Sequence, residues 1–374
     1  MDVFLTSPWI PAEWISAHGL QPRAISSAQN FQPGRWPLAA GECAFAGAAV
    51  RFAEARPDCA VIFSTSCDQL RRGFDSALLA GQSHAFLFNL PATWQTEAAS
   101  RMFRAELVRL GDFVLTIGGH RPSGDELLQE MERRRETRLR LLESVSATSA
   151  REFAEAAAQF HWGSHGRDTL PPVRLSHARQ AEDESIPLAL IGGPFLSQHW
   201  KWLDELEAVG GRIALNATEW GERSLGPASD EPMQGGPGAR ASSPAAFGVS
   251  PKAFETGKPS IKAAASAFSD SLAPPSGERG TPLADLAGTY CENIVDVFQR
   301  PNTRLYAWLK PRLASRQVRG IILWHFTGCD LWRAEAQTLR DRFDLPVLLL
   351  EAGAEPGVAP RDLNRLQAFV EMLK

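Results

Sequence analysis

Two distant segments of this 374-residue chain share one pattern. Residues 58–72 read DCAVIFSTSCDQLRR, and residues 319–333 read RGIILWHFTGCDLWR. Each has a short apolar run, two small or hydroxyl residues, a Cys-Asp pair and a helix-like segment. Such a run followed by helical spacing is typical of a buried strand that leads into a helix. The pattern predicts that Cys67 and Cys329 lie in equivalent places, at the end of a strand and the start of a helix.

The predicted position of these two cysteines is one at which α/β proteins bind ligands, namely the carboxyl edge of a sheet. The amino end of a helix stabilises negative charge and lowers the pKa of a nearby thiol. We therefore expect thiolate character at Cys67 and Cys329. Two thiolates in equivalent positions of two halves indicate a cofactor shared between domains.

Strand-like and helix-like segments alternate in both halves of the chain. The clearest short apolar runs are residues 60–64, 84–90, 187–194, 320–326 and 345–350. Because helix-length segments separate them, they predict an α/β fold with a parallel, doubly wound sheet in each half.

The domain boundaries follow from this alternation. We predict an N-terminal α/β domain at residues 1–120, a helical connector at 121–185 and a C-terminal α/β domain at 186–374. Within the connector, residues 125–143 interleave Glu and Arg, which favours a solvated helix with i,i+4 charge pairs. Residues 224–280 are rich in Pro, Gly, Ala and Ser and are interpreted as a flexible insertion.

Composition excludes several classes of protein. The 39 basic residues are outnumbered by 43 acidic ones, so the chain has no electrostatic footprint for nucleic acid. No apolar run approaches the roughly 18 residues that span a bilayer, and we expect no membrane contact. The odd count of five cysteines argues against a disulfide framework and favours the reducing cytoplasm. The sequence contains no GxGxxG, P-loop or GxSxG motif.

A third cysteine resembles the first two in its surroundings. Cys43 lies in GECAFA, beside small residues and before a helix-like run. Together with Cys67 and Cys329 it gives three thiols from separate loops, an arrangement that suits a site-differentiated iron–sulfur cluster. The alternative is that all three are buried small apolar residues. Zinc has less support because no paired Cys or His spacing accompanies them. Cys59 and Cys291 are interpreted as structural.

Several segments, taken in order, carry a family resemblance. Residues 6–25 (TSPWIPAEWISAHGLQPRAI) are similar to a P-x-E-L-I-x-A-x-G-x-x-P opening, and GEC, TSCDQLRRGFD and FTGCDLWRAE are similar to three cysteine segments. Residues 192–223 end in a G-x-R, and LNRLQAFVEMLK is similar to a TR-x-x-AF-x-E-M-L ending. Together these segments resemble the 2-hydroxyacyl-CoA dehydratase family, which also contains the benzoyl-CoA reductase subunits.

The resemblance implies a fold, a cofactor and partners. It implies two flavodoxin-like (Rossmann-type) domains with a [4Fe-4S] cluster between them, held by Cys43, Cys67 and Cys329. It also implies a homologous second subunit in a heterodimer, or a homodimer, and a separate ATP-dependent iron–sulfur activator protein. The implied reaction passes one electron to an acyl-CoA thioester, and the resulting ketyl radical loses water. The alternatives are reduction of an aromatic acyl-CoA, or a non-catalytic electron-relay or partner subunit.

Two acidic residues are candidates for proton transfer. Glu13 belongs to the P-x-E motif, and Glu219 precedes the G-x-R. A carboxyl in a dry cleft can have a raised pKa and act in acid–base catalysis. Surface salt bridging is the alternative for both. Asn216 and Trp9 depart from the family's usual acidic residue and tyrosine, and they leave the acyl group open.

Overall fold

A computed structural model describes the chain at residues 1–27, 41–145, 148–163, 185–226, 281–353 and 360–374. Within these ranges eight strands form two four-stranded sheets, and every strand pair in both sheets is parallel. Helices connect the strands, as the alternation of segments predicts. The prediction of an α/β protein with two flavodoxin-like domains is confirmed.

The first sheet lies near the start of the chain. It contains β1 (Asp2–Leu5), β2 (Gln21–Ala24), β3 (Ala60–Ser64) and β4 (Ala85–Phe88), in the order β2-β1-β3-β4. The apolar runs of the sequence predict β3 and β4, whereas β1 and β2 were not predicted. The QPRA sequence of β2 lacks the β-branched and aromatic residues that mark strands, while the DVFL sequence of β1 is a short apolar run of the same length as β4.

The second sheet repeats this arrangement. It contains β5 (Ile186–Gly192), β6 (Gly211–Ala217), β7 (Gly320–Phe326) and β8 (Val347–Ala352), in the order β6-β5-β7-β8. In each sheet the third of the four strands in chain order, β3 or β7, lies between the first and the fourth. The two Cys-Asp segments therefore follow β3 and β7 at equivalent places, which confirms the prediction from their shared sequence.

The helices pack around and between the two sheets. Those used below are α1 (Ala12–Ala17), α2 (Ala44–Ala55), α3 (Asp68–Leu79), α4 (Glu97–Thr116), α5 (Gly124–Ser144), α6 (Ala150–Trp162), α7 (Lys201–Ala208), α8 (Pro282–Asn293), α9 (Thr303–Ser315), α10 (Asp330–Phe343) and α11 (Pro360–Leu373). The apolar sequence of α2 (AFAGAAVRFAEA) is buried over most of its length. Its Phe52 ring contacts Phe4 of the first sheet at 4.7 Å, and its Phe45 ring contacts Phe326 of the second at 6.1 Å. Helix α2 thus belongs to one core shared by both sheets.

The connector helices have clear sequence boundaries. Capping boxes at Ser123 with Glu126 and at Ser149 with Glu152 begin α5 and α6. The interpretation of α5 as a solvated helix is wrong for one of its faces. That face packs against α1, α6 and α8 and buries Leu127 and Leu141.

Helix α8 comes from the second half of the chain but packs on the first sheet's side. Its Leu286 and Ala287 are buried in the cluster that contains Val3 and Leu5 of β1.

Of the predicted insertion at 224–280, residues 227–280 lie outside the described residues. Leu225, just before that range, is fully buried.

Candidate functional site

Three cysteines occupy the same structural position in three different segments. Cys43, Cys67 and Cys329 are the N-cap residues of α2, α3 and α10. The backbone N–H of Leu70 points at the Cys67 Sγ atom, at 3.4 Å. All three are free thiols. Each therefore lies where a helix presents unpaired N–H groups.

The structure brings these three cysteines together. Gly328 has φ +82°, and a Cβ atom built on it would lie 3.2 Å from both the Cα and the N of Cys43. The loop that ends β7 is thus in direct contact with the start of α2. Cys67 and Cys329 also lie within electrostatic range of each other and of Cys43. Thiols from both halves of the chain therefore border one site.

The expected thiolate character is wrong for the chain by itself. Burial raises the pKa of Cys67 and of Cys329 to about 12, and it also raises the pKa of Cys43. The N–H groups at the helix starts lower these values, but less than burial raises them. The thiols also repel one another's ionised forms. A bound metal cation would reverse this balance, because it deprotonates coordinating thiols.

Glu219 lies beside the three cysteines. It follows β6, and its backbone N–H donates to the Gly193 carbonyl at 3.3 Å. Burial, followed by the charge of Asp296, raises the pKa of its carboxyl to about 8, and the charge of Arg223 and an interaction with the Ser7 side chain lower it in part. Glu219 therefore holds a proton at neutral pH in the chain without a bound cation.

A buried ion pair fixes the loop that carries Glu219. Arg223 is fully buried, and its Nη1 donates to Asp296 Oδ2 at 2.7 Å. Its other N–H groups donate to the carbonyls of Gly192, Ala217 and Val295. The G-x-R motif therefore ties the ends of β5 and β6 to the segment after α8.

Gly221 is required in the same loop. A Cβ atom at this position would lie 2.5 Å from Asn216 Oδ1 and 2.6 Å from the Asn216 carbonyl oxygen. The Asn216 side chain accepts from the N–H and the hydroxyl of Thr218 and holds the turn. Asn216, identified above as a departure from the family's acidic residue, is thus an internal part of the loop.

Glu13 lies at a different place from Glu219. Its carboxylate accepts a hydrogen bond from the Tyr290 hydroxyl at 2.6 Å and lies 3.4 Å from Arg134 Nε. It borders a cavity of about 220 Å³, the α5 cavity, whose described lining residues include neither Glu219 nor any cysteine. The structure therefore brings Glu219, but not Glu13, to the three cysteines.

Among the described residues, no three His, Cys, Asp or Glu side chains are close enough together to hold a single metal ion. In the same ranges, no helix is both long and apolar enough to cross a membrane.

Two parallel four-stranded sheets, with cysteines from both halves of the chain close together, define a two-sheet α/β protein. A protein-family model described as "2-hydroxyglutaryl-CoA dehydratase, D-component" matches residues 9–237 and 260–373. The chain belongs to this family, and the resemblance found in the sequence is confirmed. The matched ranges include the three cysteines and both glutamates. No curated protein matches the chain.

Proposed function

We propose that this chain is the cluster-bearing component of a 2-hydroxyacyl-CoA dehydratase-type lyase. Cys43, Cys67 and Cys329 would hold a [4Fe-4S] cluster. The observation that carries the proposal is the meeting of three helix-capping cysteines from both halves of the chain, with Gly328 against Cys43.

The donor set fits such a group chemically. Three thiols with N–H groups beside them match the sulfur ligation and hydrogen bonding of iron–sulfur sites, and three cysteines leave one iron for another ligand. The raised pKa values of Cys67 and Cys329 do not conflict with metal ligation, because a bound cation deprotonates a coordinating thiol. In the chain by itself, the same raised values make these two thiols poor nucleophiles. When bound, the cluster supplies single electrons, which is what ketyl-radical elimination of water from an acyl-CoA requires.

The chain's own residues would handle the proton and exclude water. Glu219 lies within electrostatic range of the cysteines, and burial raises the pKa of its carboxyl to about 8 in the chain without a bound cation. We assign it the role of proton donor to the departing hydroxyl group, which leaves as water. Arg223 and Asp296 position its loop through their buried ion pair. Glu13 is already engaged by Tyr290 and Arg134, so we assign it to the α5 cavity instead.

The partners follow from the same proposal. A component of such an enzyme requires a homologous second subunit, or a second copy of this chain, and an ATP-dependent iron–sulfur activator. The chain's sequence has no P-loop, which agrees with ATP hydrolysis on another protein. The substrate is an acyl-CoA.

Anaerobic reconstitution tests the cluster. We expect about four irons and four sulfides per chain, and loss of the visible chromophore in Cys67→Ser. Cys59→Ala is the matched control, because Cys59 is a buried cysteine outside the site. Fewer than about three irons per chain, or an unchanged chromophore in Cys67→Ser, would refute the ligand set.

An activity assay separates the possible reactions. The reconstituted chain, the proposed homologous second subunit and an activator are incubated with 2-hydroxyacyl-CoA or with benzoyl-CoA. Elimination of water supports the proposal. Ring reduction would replace it with an aromatic acyl-CoA reductase, and activity that survives loss of this chain's cluster would indicate a non-catalytic partner subunit.

A further inference from the structure

The α5 cavity has an unusual combination of walls. It lies where α1, α5 and α8 meet, and Met131 and Phe160 contribute apolar surface. Three guanidinium groups from α5 also line it: Arg134, Arg135 and Arg138. A cavity that is largely apolar but carries a few charged groups is typical of a binding site for a small molecule.

Two of these arginines already have carboxylate partners. Arg134 Nε lies 3.4 Å from Glu13 and its guanidinium lies over the Phe160 ring, while Arg135 Nη1 lies 3.2 Å from Glu132. Arg138 differs from both. Among the described residues it forms no ion pair, and its Nε is buried without a hydrogen-bond partner.

The Arg138 side chain is half-buried, and leaving its buried Nε without a partner is costly, because the desolvation of that N–H is not repaid by a hydrogen bond. Burial lowers the pKa of Arg138, and the charge of Glu13 offsets this only in part. An anion in the cavity would supply the missing partner. The planar guanidinium matches the two oxygens of a carboxylate or phosphate.

We propose that the α5 cavity binds an anionic oxygen group, a carboxylate or a phosphate, with Arg138 as its counterion. The apolar walls indicate that this group belongs to a ligand with an apolar body. The volume of about 220 Å³ admits the anionic end of a ligand but not a whole coenzyme A.

Three consecutive residues lie between the cavity and Glu219. Pro8 and Trp9 line the cavity, and the Ser7 side chain lowers the pKa of the Glu219 carboxyl. The anion would then be either a carboxylate on the acyl chain or a phosphate of coenzyme A. This choice of source rests on the proposed function, whereas the anion site itself does not.

Calorimetry on the purified full-length chain tests the site without any enzyme assay. The probes are glutarate, inorganic phosphate and coenzyme A, added to the wild type, to Arg138→Gln and to Arg140→Gln. Arg140 is the matched control, because it lies on α5 but is exposed and outside the cavity. We expect Arg138→Gln to weaken binding by about tenfold or more, and Arg140→Gln to change it by less than about twofold.

The pattern across probes identifies the source of the anion. Arg138-dependent binding of glutarate supports an acyl carboxylate, and Arg138-dependent binding of phosphate or coenzyme A supports the phosphate. The proposal is overturned if no probe binds, if Arg138→Gln leaves every affinity unchanged, or if Arg140→Gln causes an equal loss.

A second variant tests whether Arg138 stabilises the fold instead of binding an anion. Arg138→Met keeps a long apolar side chain and removes the half-buried charge with its unpartnered Nε, so we expect a higher melting temperature in the absence of ligand. A lower one would show that Arg138 serves the fold and would overturn the proposal. Neither the calorimetry nor the melting temperature depends on iron. A negative result in them would therefore refute the anion site without bearing on the cluster assignment.

Discussion

Gly328 and Cys43 are in direct backbone contact, although they lie in opposite halves of the chain. A Cβ atom on Gly328 would lie 3.2 Å from the Cys43 Cα atom, and the φ of +82° at Gly328 is one that other residues rarely adopt. Both constraints favour glycine here. The contact sets how closely the loop after β7 approaches the start of α2, and so how closely Cys329 approaches Cys43.

Gly328→Ala should therefore lower both stability and iron content. The positive φ alone costs about 1–2 kcal/mol for a residue with a side chain, and the methyl group additionally pushes against Cys43. Gly118→Ala is the control, because Gly118 has φ +98° but nothing within 4 Å of the added atom. We expect both variants to be destabilised in urea, and only Gly328→Ala to lose iron after reconstitution. Equal iron in the two variants would contradict the role of the contact.

Breaking the buried pair of Arg223 and Asp296 should be severe. In Asp296→Ala, the fully buried guanidinium loses its carboxylate, and removal of one partner of such a pair typically costs about 3–5 kcal/mol. The exposed pair of Arg101 and Glu97, at 3.5 Å, provides the comparison. Glu97→Ala should cost at most about 1 kcal/mol. Urea unfolding of the two variants at pH 7 measures the difference, and similar losses would argue against a structural role for the G-x-R motif.

Local sequence signals predicted much of this fold. The Cys-Asp segments were predictable because an apolar run and a following helix are both encoded within a few residues. Long-range packing was not. Nothing in the sequence of α8 indicates that Leu286 packs with Val3 across the chain, and the interleaved charges of α5 conceal that Arg138 faces a cavity.

The candidate site, like the fold, was predictable from the sequence only in part. The three cysteines were identifiable from their neighbours, but the direction of their pKa shifts was not. A helix terminus lowers a thiol pKa and burial raises it, and only the structure shows that burial is the larger effect at Cys67 and Cys329. The sequence also could not decide between Glu13 and Glu219 as candidates for proton transfer. Only the fold shows that the two residues lie at different places.

His199 should make the protein sensitive to acid. Its ring is buried against Trp324 and Phe326, and this burial lowers its pKa to about 4. Because the folded pKa is below the unfolded value, stability is complete above about pH 6.5 and is lost as pH falls toward 4. At pH 5 the loss is about 2 kcal/mol. We expect His199→Phe to reduce this dependence in urea unfolding between pH 7 and pH 5 without abolishing it, because burial also lowers the pKa of His161 and of His18. His120→Gln, at an exposed histidine, should leave it intact.

Glu219 should have the opposite dependence on pH in the chain without a bound cation. Burial raises the pKa of its carboxyl to about 8, above that of an unfolded glutamate. The folded state therefore retains a proton that the unfolded state releases, and stability falls as pH rises from about 4.5 to 8. The full effect is at most about 4–5 kcal/mol. Glu219→Gln imitates the protonated acid, so it should remove this decline while lowering dehydration activity by about 100-fold or more. Glu205→Gln on α7 is the control, and an unchanged pH profile in Glu219→Gln would show that the carboxyl ionises normally and is not the proton donor.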